Sequence, residues 1–460
     1  MITYAVLSYG GNRMAKSERN AGELFIQRRL DDVPPPLDFL AWITDGRYGE
    51  LGLKLFDDVG QIYEAQLAKM EFESIGGKPD VFRRRTAYFE EVLGEKSYHC
   101  FFSSVLGKGQ IGHTNQYLTH WFYPYKGKFH GQMVKALLNF MGVSETSLVL
   151  DPFVGSGTTL VECASIGVPS IGVEINPALC VVTQTKCDGL ELDYPAFESF
   201  IRSTTPSKLF DFFHSKELTP IWHLTFSRLN YDAKELIQEA WERRFKGEQL
   251  KSPIEWRSLL MLVYLHALSD FTYLKGTNKE KSIRQFFYRD LEEYGQTLEG
   301  TFNVLKKLGV TVARPRVVFG DALNLPLESS SIDGIITSPP YSIALDYVRN
   351  DQHLLEYLGI DNQDLREHMV GLKGSGTEKV QLYDKDVRRS LIEMKRVLKP
   401  RSWTAIVLGD VVVEGERTNF CERILSHAHD LSFSEAWAIK RPILGGYARL
   451  RYEYVVMLRK

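Results

Sequence analysis

The chain has 460 residues, 44% hydrophobic and 25% charged, with a formal net charge of −2. That balance belongs to a folded globular protein and excludes a disordered, fibrous or strongly basic chain, and the length asks for two or three structural units. Cys100, Cys163, Cys180, Cys187 and Cys421 lie without paired spacing, so neither a disulfide framework nor a zinc site is expected.

The first residues lack a charged segment followed by an apolar run. No stretch reaches the roughly 18 uninterrupted apolar residues of a membrane span, so a cytoplasmic protein without membrane contact is expected. Residues 1–110 mix short apolar runs with polar helical stretches such as Val59 to Phe72, and carry the basic run Arg83-Arg84-Arg85. They read as an N-terminal accessory region. The pattern then becomes helix (Gly131–Gly142), strand (Ser147–Leu150), glycine loop, helix to Ile166 and strand (Ser170–Val173), which is half of a nucleotide-binding α/β sheet. Residues 178–310 carry long helical periodicities, as in Ala233–Phe245 and Glu255–Ser269, and read as a helical insertion. Strands return after Arg316 in VVFGD and IDGIITSPPY. A helix through Lys399, the strand Trp403–Leu408 and a final pair around Ala436–Ile439 and Tyr452–Leu458 follow. The expected fold is therefore α/β, a doubly wound Rossmann-like sheet assembled from 111–177 and 311–460.

The loop Asp151-Pro152-Phe153-Val154-Gly155-Ser156-Gly157-Thr158-Thr159 places Gly155 and Gly157 in a strand-to-helix turn, where missing Cβ atoms let a ligand approach backbone amides. About 20 residues on, Glu174 ends the next strand, where a carboxylate can accept hydrogen bonds from ribose hydroxyls. A phosphate-binding loop is disfavoured because no lysine follows the glycines, and a dinucleotide site because GxGxxG is not completed. S-adenosylmethionine remains as the cofactor.

DPFVGSGTT closely resembles the cofactor motif of the DNA amino-methyltransferases, and Ser338-Pro339-Pro340-Tyr341 resembles their catalytic tetrapeptide. Tyr125-Lys126-Gly127-Lys128-Phe129 looks like the family's preceding motif, which implies that Lys128 and Phe129 line the methionine end of the cofactor. Asp321 in FGDALNLP matches the acidic residue that the family places near the adenine amine. The resemblance implies double-stranded DNA as partner, with a cognate restriction endonuclease as a further one, and no metal.

The chemistry gives the tetrapeptide its meaning. An exocyclic amine has its lone pair delocalised into the ring, so hydrogen-bond acceptors that favour the pyramidal form assist its attack. The Ser338 hydroxyl and the Pro339 carbonyl can supply them, Pro340 stiffens the turn, and Tyr341 can stack on a base rotated out of the duplex. Methylation at cytosine C5 would need a Pro-Cys nucleophile, and no cysteine here follows a proline. Serine at the first position of the tetrapeptide points within the family to cytosine N4. Adenine N6, an RNA or protein amine, and an inactive DNA-binding regulator are the alternatives.

Base recognition is expected in the insertion, where Arg243, Arg244, Lys246, Lys251, Lys275, Lys279, Lys281 and Arg284 stand among aromatic residues, or in the N-terminal region. Arg349 could reach a phosphate or form an ion pair, and Gly371–Tyr383 could be a loop closing over DNA or a plain surface connection. His427 and His429 read as solvated. The family usually has Pro-Gly-Gly where this chain has Pro400-Arg401-Ser402, which puts the local turn in question.

Overall fold

The computed structural model describes residues 26–27, 52–57, 59, 61–106, 116–125, 127–214, 231–244, 252–274, 282–340, 346–413, 416–442 and 452–460. In chain order the strands are β1 (Ile26–Gln27), β2 (Lys54–Leu55), β3 (Phe89–Val92), β4 (Glu95–Lys96), β5 (Val149–Asp151), β6 (Ser170–Glu174), β7 (Tyr231–Asp232), β8 (Arg316–Phe319), β9 (Ile332–Thr337), β10 (Leu398–Gly409), β11 (Val411–Val413), β12 (Glu416–Thr418), β13 (Glu435–Pro442) and β14 (Tyr452–Arg459). Nine of them form the central sheet in the order β1-β13-β14-β10-β9-β5-β6-β8-β7. Strands β8, β6, β5, β9 and β10 are parallel, whereas β14 is antiparallel to both β10 and β13. The chain runs outward from β5 through β6 to β8, then crosses back to β9 on the other side of β5. That reversal opens a crevice beyond the carboxyl ends of β5 and β9, the place where open α/β sheets bind ligands.

Period-two alternation explains why these segments are strands buried on both faces. In β10, Ile406 and Leu408 join one core together with the helices Gly376–Val397 and Phe420–Asp430, while Ala405 and Val407 join the opposite core under the helix Gly131–Phe140. Strand β14 divides in the same way, with Val456 and Leu458 on one side and Val455 and Met457 on the other.

The described N-terminal residues share the sheet's core. Strand β1 pairs in parallel with β13, and Tyr63 and Leu67 of the helix Ile62–Ile75 pack with Met133 and Leu137 of Gly131–Phe140. Glu71, fully buried, fastens this layer by accepting hydrogen bonds from Thr86 Oγ1 at 2.6 Å and Asn139 Nδ2 at 3.0 Å. The helix Pro177–Asp188, within the span read as insertion, is the crossover that covers β6 and β8 and belongs with the sheet. Beyond it the helices Ile254–Leu274 and Ile283–Leu308 pack together, the second opened by a Ser282/Gln285 capping box.

Two local expectations change. Most of Gly371–Tyr383 is the start of the helix Gly376–Val397, because Val380, Tyr383, Val387, Leu391 and Met394 fall on one buried face. At Pro400-Arg401-Ser402 the ladder between β10 and β9 shifts register between Leu398 and Trp403, and Arg401 takes φ +65, a conformation that suits glycine. Its amide donates to the Lys460 carbonyl at 2.8 Å, which holds the bulge in place.

On the helix Thr158–Ser165, Glu162 is fully buried, with His120 Nε2 at 2.7 Å, Lys135 Nζ at 3.2 Å and the Tyr117 hydroxyl donating to it. Burial opposes its ionisation, but Lys135, His120 and Tyr117 outweigh burial and hold the carboxyl below the usual range. The stability it contributes is therefore present above the ordinary glutamate pKa and lost as pH falls through its depressed one. Glu162→Ala strands the buried Lys135 ammonium and should cost about 3–5 kcal/mol in denaturant unfolding at pH 7. A loss under about 1 kcal/mol would show that the charge pair does not hold these elements together.

Candidate active site

Strand β5 ends in Asp151, which is fully buried. Its Oδ2 accepts from Thr159 Oγ1 at 2.7 Å, and its Oδ1 accepts from Thr337 Oγ1 at 2.6 Å and from the Phe153 amide at 3.1 Å. Thr159 lies on the helix after the glycine loop, and Thr337 ends β9 immediately before Ser338. One carboxylate thus ties the cofactor loop to the strand that carries the tetrapeptide. Burial pushes this carboxyl up to about 6 against those hydrogen bonds.

Gly155 and Gly157 have φ of +50 and +84, so both positions favour glycine. A Cβ on Gly157 would meet Thr183 Cγ2 at 2.6 Å. Thr183 and Lys186, both on Pro177–Asp188, hold the loop from behind by donating to the Gly155 carbonyl at 2.6 Å and the Ser156 carbonyl at 2.9 Å. At the end of β6, Glu174 accepts from the amides of Gly155 and Asn176, each at 2.9 Å, and burial pushes its carboxyl up to about 7.

These elements border an open crevice with about 740 Å³ of empty space, part of it continuous with solvent. It is lined by Lys128, Phe129, Pro152, Phe153, Gly155, Ser156, Thr158, Glu174, Asp321, Ser338 and Pro340. Asp151, Gly157, Thr159 and Pro339 are not in the lining: Asp151 and Thr159 lie buried beneath the loop, Gly157 faces Thr183, and Pro339 is buried. Tyr341 lies outside the described residues. Asp321 follows β8, the strand next to β6. Burial pushes its carboxyl up, while the Leu323 amide donates to it at 2.9 Å. Two carboxylates on adjacent strand ends, a glycine turn and the apolar Phe129 and Phe153 suit an adenosine, whose hydroxyls and amine are donors.

The cavity also takes in Tyr125, Tyr347 and His368, which sequence reasoning did not single out. The rings of Tyr125 and Tyr347 stack at 6.1 Å. Tyr125 begins the motif that contains Lys128 and was within reach of that signal; His368 ends the helix Asn362–His368 and carried none. The Arg349 amide donates to Asp346 Oδ1 at 3.0 Å, and the Asp346 carboxylate also binds the Arg366 guanidinium through two contacts of 2.8 Å. His427 contacts Asp384 at 3.1 Å.

Of the basic residues in the insertion, Arg284 pairs with Asp211 at 2.8 Å and packs over the Phe210 ring. Lys246, Lys251, Lys275, Lys279 and Lys281, and the side chains of Arg243 and Arg244, lie outside the described residues. His266, Asp270 and Asp290 present ligand atoms within 4.8 Å of one another, and the Arg289 guanidinium already reaches both carboxylates. No helix among the described residues is long and apolar enough to cross a membrane.

Two outcomes follow from this geometry. Gly157→Ala should weaken cofactor binding at least about tenfold in titration calorimetry, because the Cβ must displace Thr183 and the positive φ is strained; unchanged affinity would mean that the loop tolerates another shape. Glu174 already accepts from two amides, and only its ionised form offers full acceptor capacity to a ligand's hydroxyls, so affinity for S-adenosylmethionine should rise between pH 5.5 and 8 with a midpoint near 7. Glu174→Gln should abolish that rise, and its persistence in the variant would assign the titration to another group.

Comparison with known proteins agrees with this geometry. A family model described as DNA methylase matches residues 110–185, the stretch from before Lys128 through the loop to Glu174. The chain is 23% identical over 470 aligned positions to the type II methyltransferase M.MjaII of Methanocaldococcus jannaschii, covering 81% of this chain and 85% of that one. It is 24% identical to the type II methyltransferase M.BsoBI of Geobacillus stearothermophilus, covering 55% of each. A tRNA (guanine(10)-N2)-dimethyltransferase of Methanothermobacter thermautotrophicus is 24% identical over 32% of this chain and 43% of its own. Residues 110–185 thus match a DNA methylase domain, and over most of its length the chain is similar to type II methyltransferases.

Proposed function

We propose that the chain methylates the exocyclic N4 amine of cytosine in duplex DNA, with the target base rotated out of the helix, as one half of a restriction–modification system beside a cognate restriction endonuclease. The observation that carries the reading is a single cavity lined both by Gly155, Glu174 and Asp321 and by Ser338 and Pro340. Bound S-adenosylmethionine supplies an electrophilic methyl group and a neutral thioether leaving group.

The chain's own residues then have distinct tasks. Glu174 and Asp321 hold the adenosine by accepting its hydrogen bonds, and the loop 155–157 brings backbone close to it. Ser338 and the Pro339 carbonyl accept hydrogen bonds from the target amine as its nitrogen pyramidalises. The amine then gives its lone pair to the methyl carbon and loses one proton to solvent. Tyr341 stacks on the rotated base. Asp151 acts at one remove, fixing Thr337 and thereby the direction in which Ser338 leaves the strand.

Incubation of the purified chain with duplex DNA and methyl-labelled cofactor, followed by mass analysis of nucleosides, tests the acceptor. N4-methyldeoxycytidine is the expected product. Label on adenine would overturn the base assignment, and label only in RNA, an outcome that the tRNA-acting relative makes worth including, would overturn the substrate. Ser338→Ala should lower turnover by about 100-fold while leaving cofactor affinity unchanged.

A further inference from the structure

The helices Ile254–Leu274 and Ile283–Leu308 pack together with metal-ligating side chains between them. His266 and Asp270 stand at i and i+4 on the first helix, a spacing that puts both on one face, and packing brings Asp290 of the second helix to them. One ligand atom from each lies within 4.8 Å of the other two. His266 and Asp290 are buried, Asp290 completely.

Arg289 leaves this cluster incomplete. Its guanidinium reaches one oxygen of each carboxylate, Asp270 Oδ2 and Asp290 Oδ1, and so balances only one of two negative charges. Asp290 Oδ2 has no hydrogen-bond partner among the described residues, and burial raises that carboxyl to about 7 against the pull of Arg289. A buried carboxylate oxygen without a donor is costly, and a bound cation would offset that cost. The Arg289 side chain is 34% exposed and holds Asp290 through the other oxygen, so a cation can enter without displacing it. His266 is in the form that ligates, since burial takes it down to about 3 and keeps the imidazole neutral. Its Nδ1 lies 3.1 Å from the Tyr294 hydroxyl, which orients the ring and leaves Nε2 as the ligating nitrogen. The same hydroxyl accepts from the Tyr123 amide at 2.9 Å, two residues before Tyr125 in the crevice wall.

We infer that His266, Asp270 and Asp290 bind one divalent first-row transition cation, which ties the two helices together and, through Tyr294, to the segment that carries Tyr125. A mixed set of imidazole and carboxylates suits such a cation better than Ca²⁺ or Mg²⁺, which favour oxygen alone. The site is independent of the methyl-transfer reading. It departs from the absence of metal expected from the sequence, where Asp290 stands too far from His266 and Asp270 to form a motif with them.

The test titrates the full chain, stripped with a chelator and dialysed, with Zn²⁺ and separately with Mg²⁺ by calorimetry at pH 7. Zn²⁺ should bind at a single site per chain, at least about 100-fold more tightly than Mg²⁺, and should raise the melting temperature. Asp290→Asn keeps the shape of the side chain and removes its charge, whereas His266→Gln removes the imidazole. Each should weaken Zn²⁺ at least about 100-fold, because even groups that only orient a ligand contribute about 10- to 100-fold. Tyr294→Phe, which removes the hydroxyl that orients His266, should weaken it about tenfold. A stripped wild-type chain that binds no Zn²⁺, or binds Mg²⁺ equally well, would overturn the site without any variant. Unchanged Zn²⁺ affinity in Asp290→Asn and His266→Gln would put the ion elsewhere in the chain and overturn it as well.

Discussion

The Asp151 carboxylate is the constraint on which the rest of the site depends. Two separated stretches of chain, the glycine loop and the tetrapeptide, must face one cavity, and they arrive there on neighbouring parallel strands. Sheet pairing brings the strands side by side but does not fix how the turns beyond their ends are aimed. Asp151 does so by receiving Thr159 from one motif and Thr337 from the other at 2.7 and 2.6 Å. A buried carboxylate with three donors is costly to form and costly to disturb, so the turns it fixes have little freedom left to lose.

The sheet order explains why the site can draw on residues so far apart in the chain. Because the chain returns past β5 to form β9, the carboxyl ends of β5, β6, β8 and β9 open on the same crevice, and each contributes a group at or just after its end: Gly155, Glu174, Asp321 and Ser338. The helical span between β6 and β8 lengthens the connection without altering the ladder, since a long surface excursion adds only a slowly growing closure cost. Its first helix, Pro177–Asp188, stays on the sheet and supports the loop through Thr183 and Lys186.

Most of the fold was legible in the sequence wherever apolar periodicity is strong. The strands around Leu150, Val173, Ile335 and Val456 lie within a residue or two of their expected positions, because strands buried on both faces read as apolar runs, whereas β10 contains the expected Trp403–Leu408 but begins five residues earlier, at Leu398. The start of Gly376–Val397 was hidden by Gly371, Gly374 and Gly376, which read as loop punctuation, although the buried stripe from Val380 onward continues through it. The packing of residues 61–106 onto the sheet could not be read either, since it depends on contacts such as Glu71 with Asn139 between distant segments. Within the site, residues in motifs were found and residues brought in by tertiary contact, Tyr347 and His368, were not. Motif membership also did not distinguish cavity-facing Ser156 and Thr158 from Asp151 and Thr159, which lie under the loop.

A crystal structure of the chain with S-adenosylhomocysteine tests the central claim most directly. The account predicts the adenosine between Glu174 and Asp321, with the sulfur turned toward Ser338 and Pro340. A ligand bound elsewhere, or one whose sulfur points away from Ser338, would contradict it.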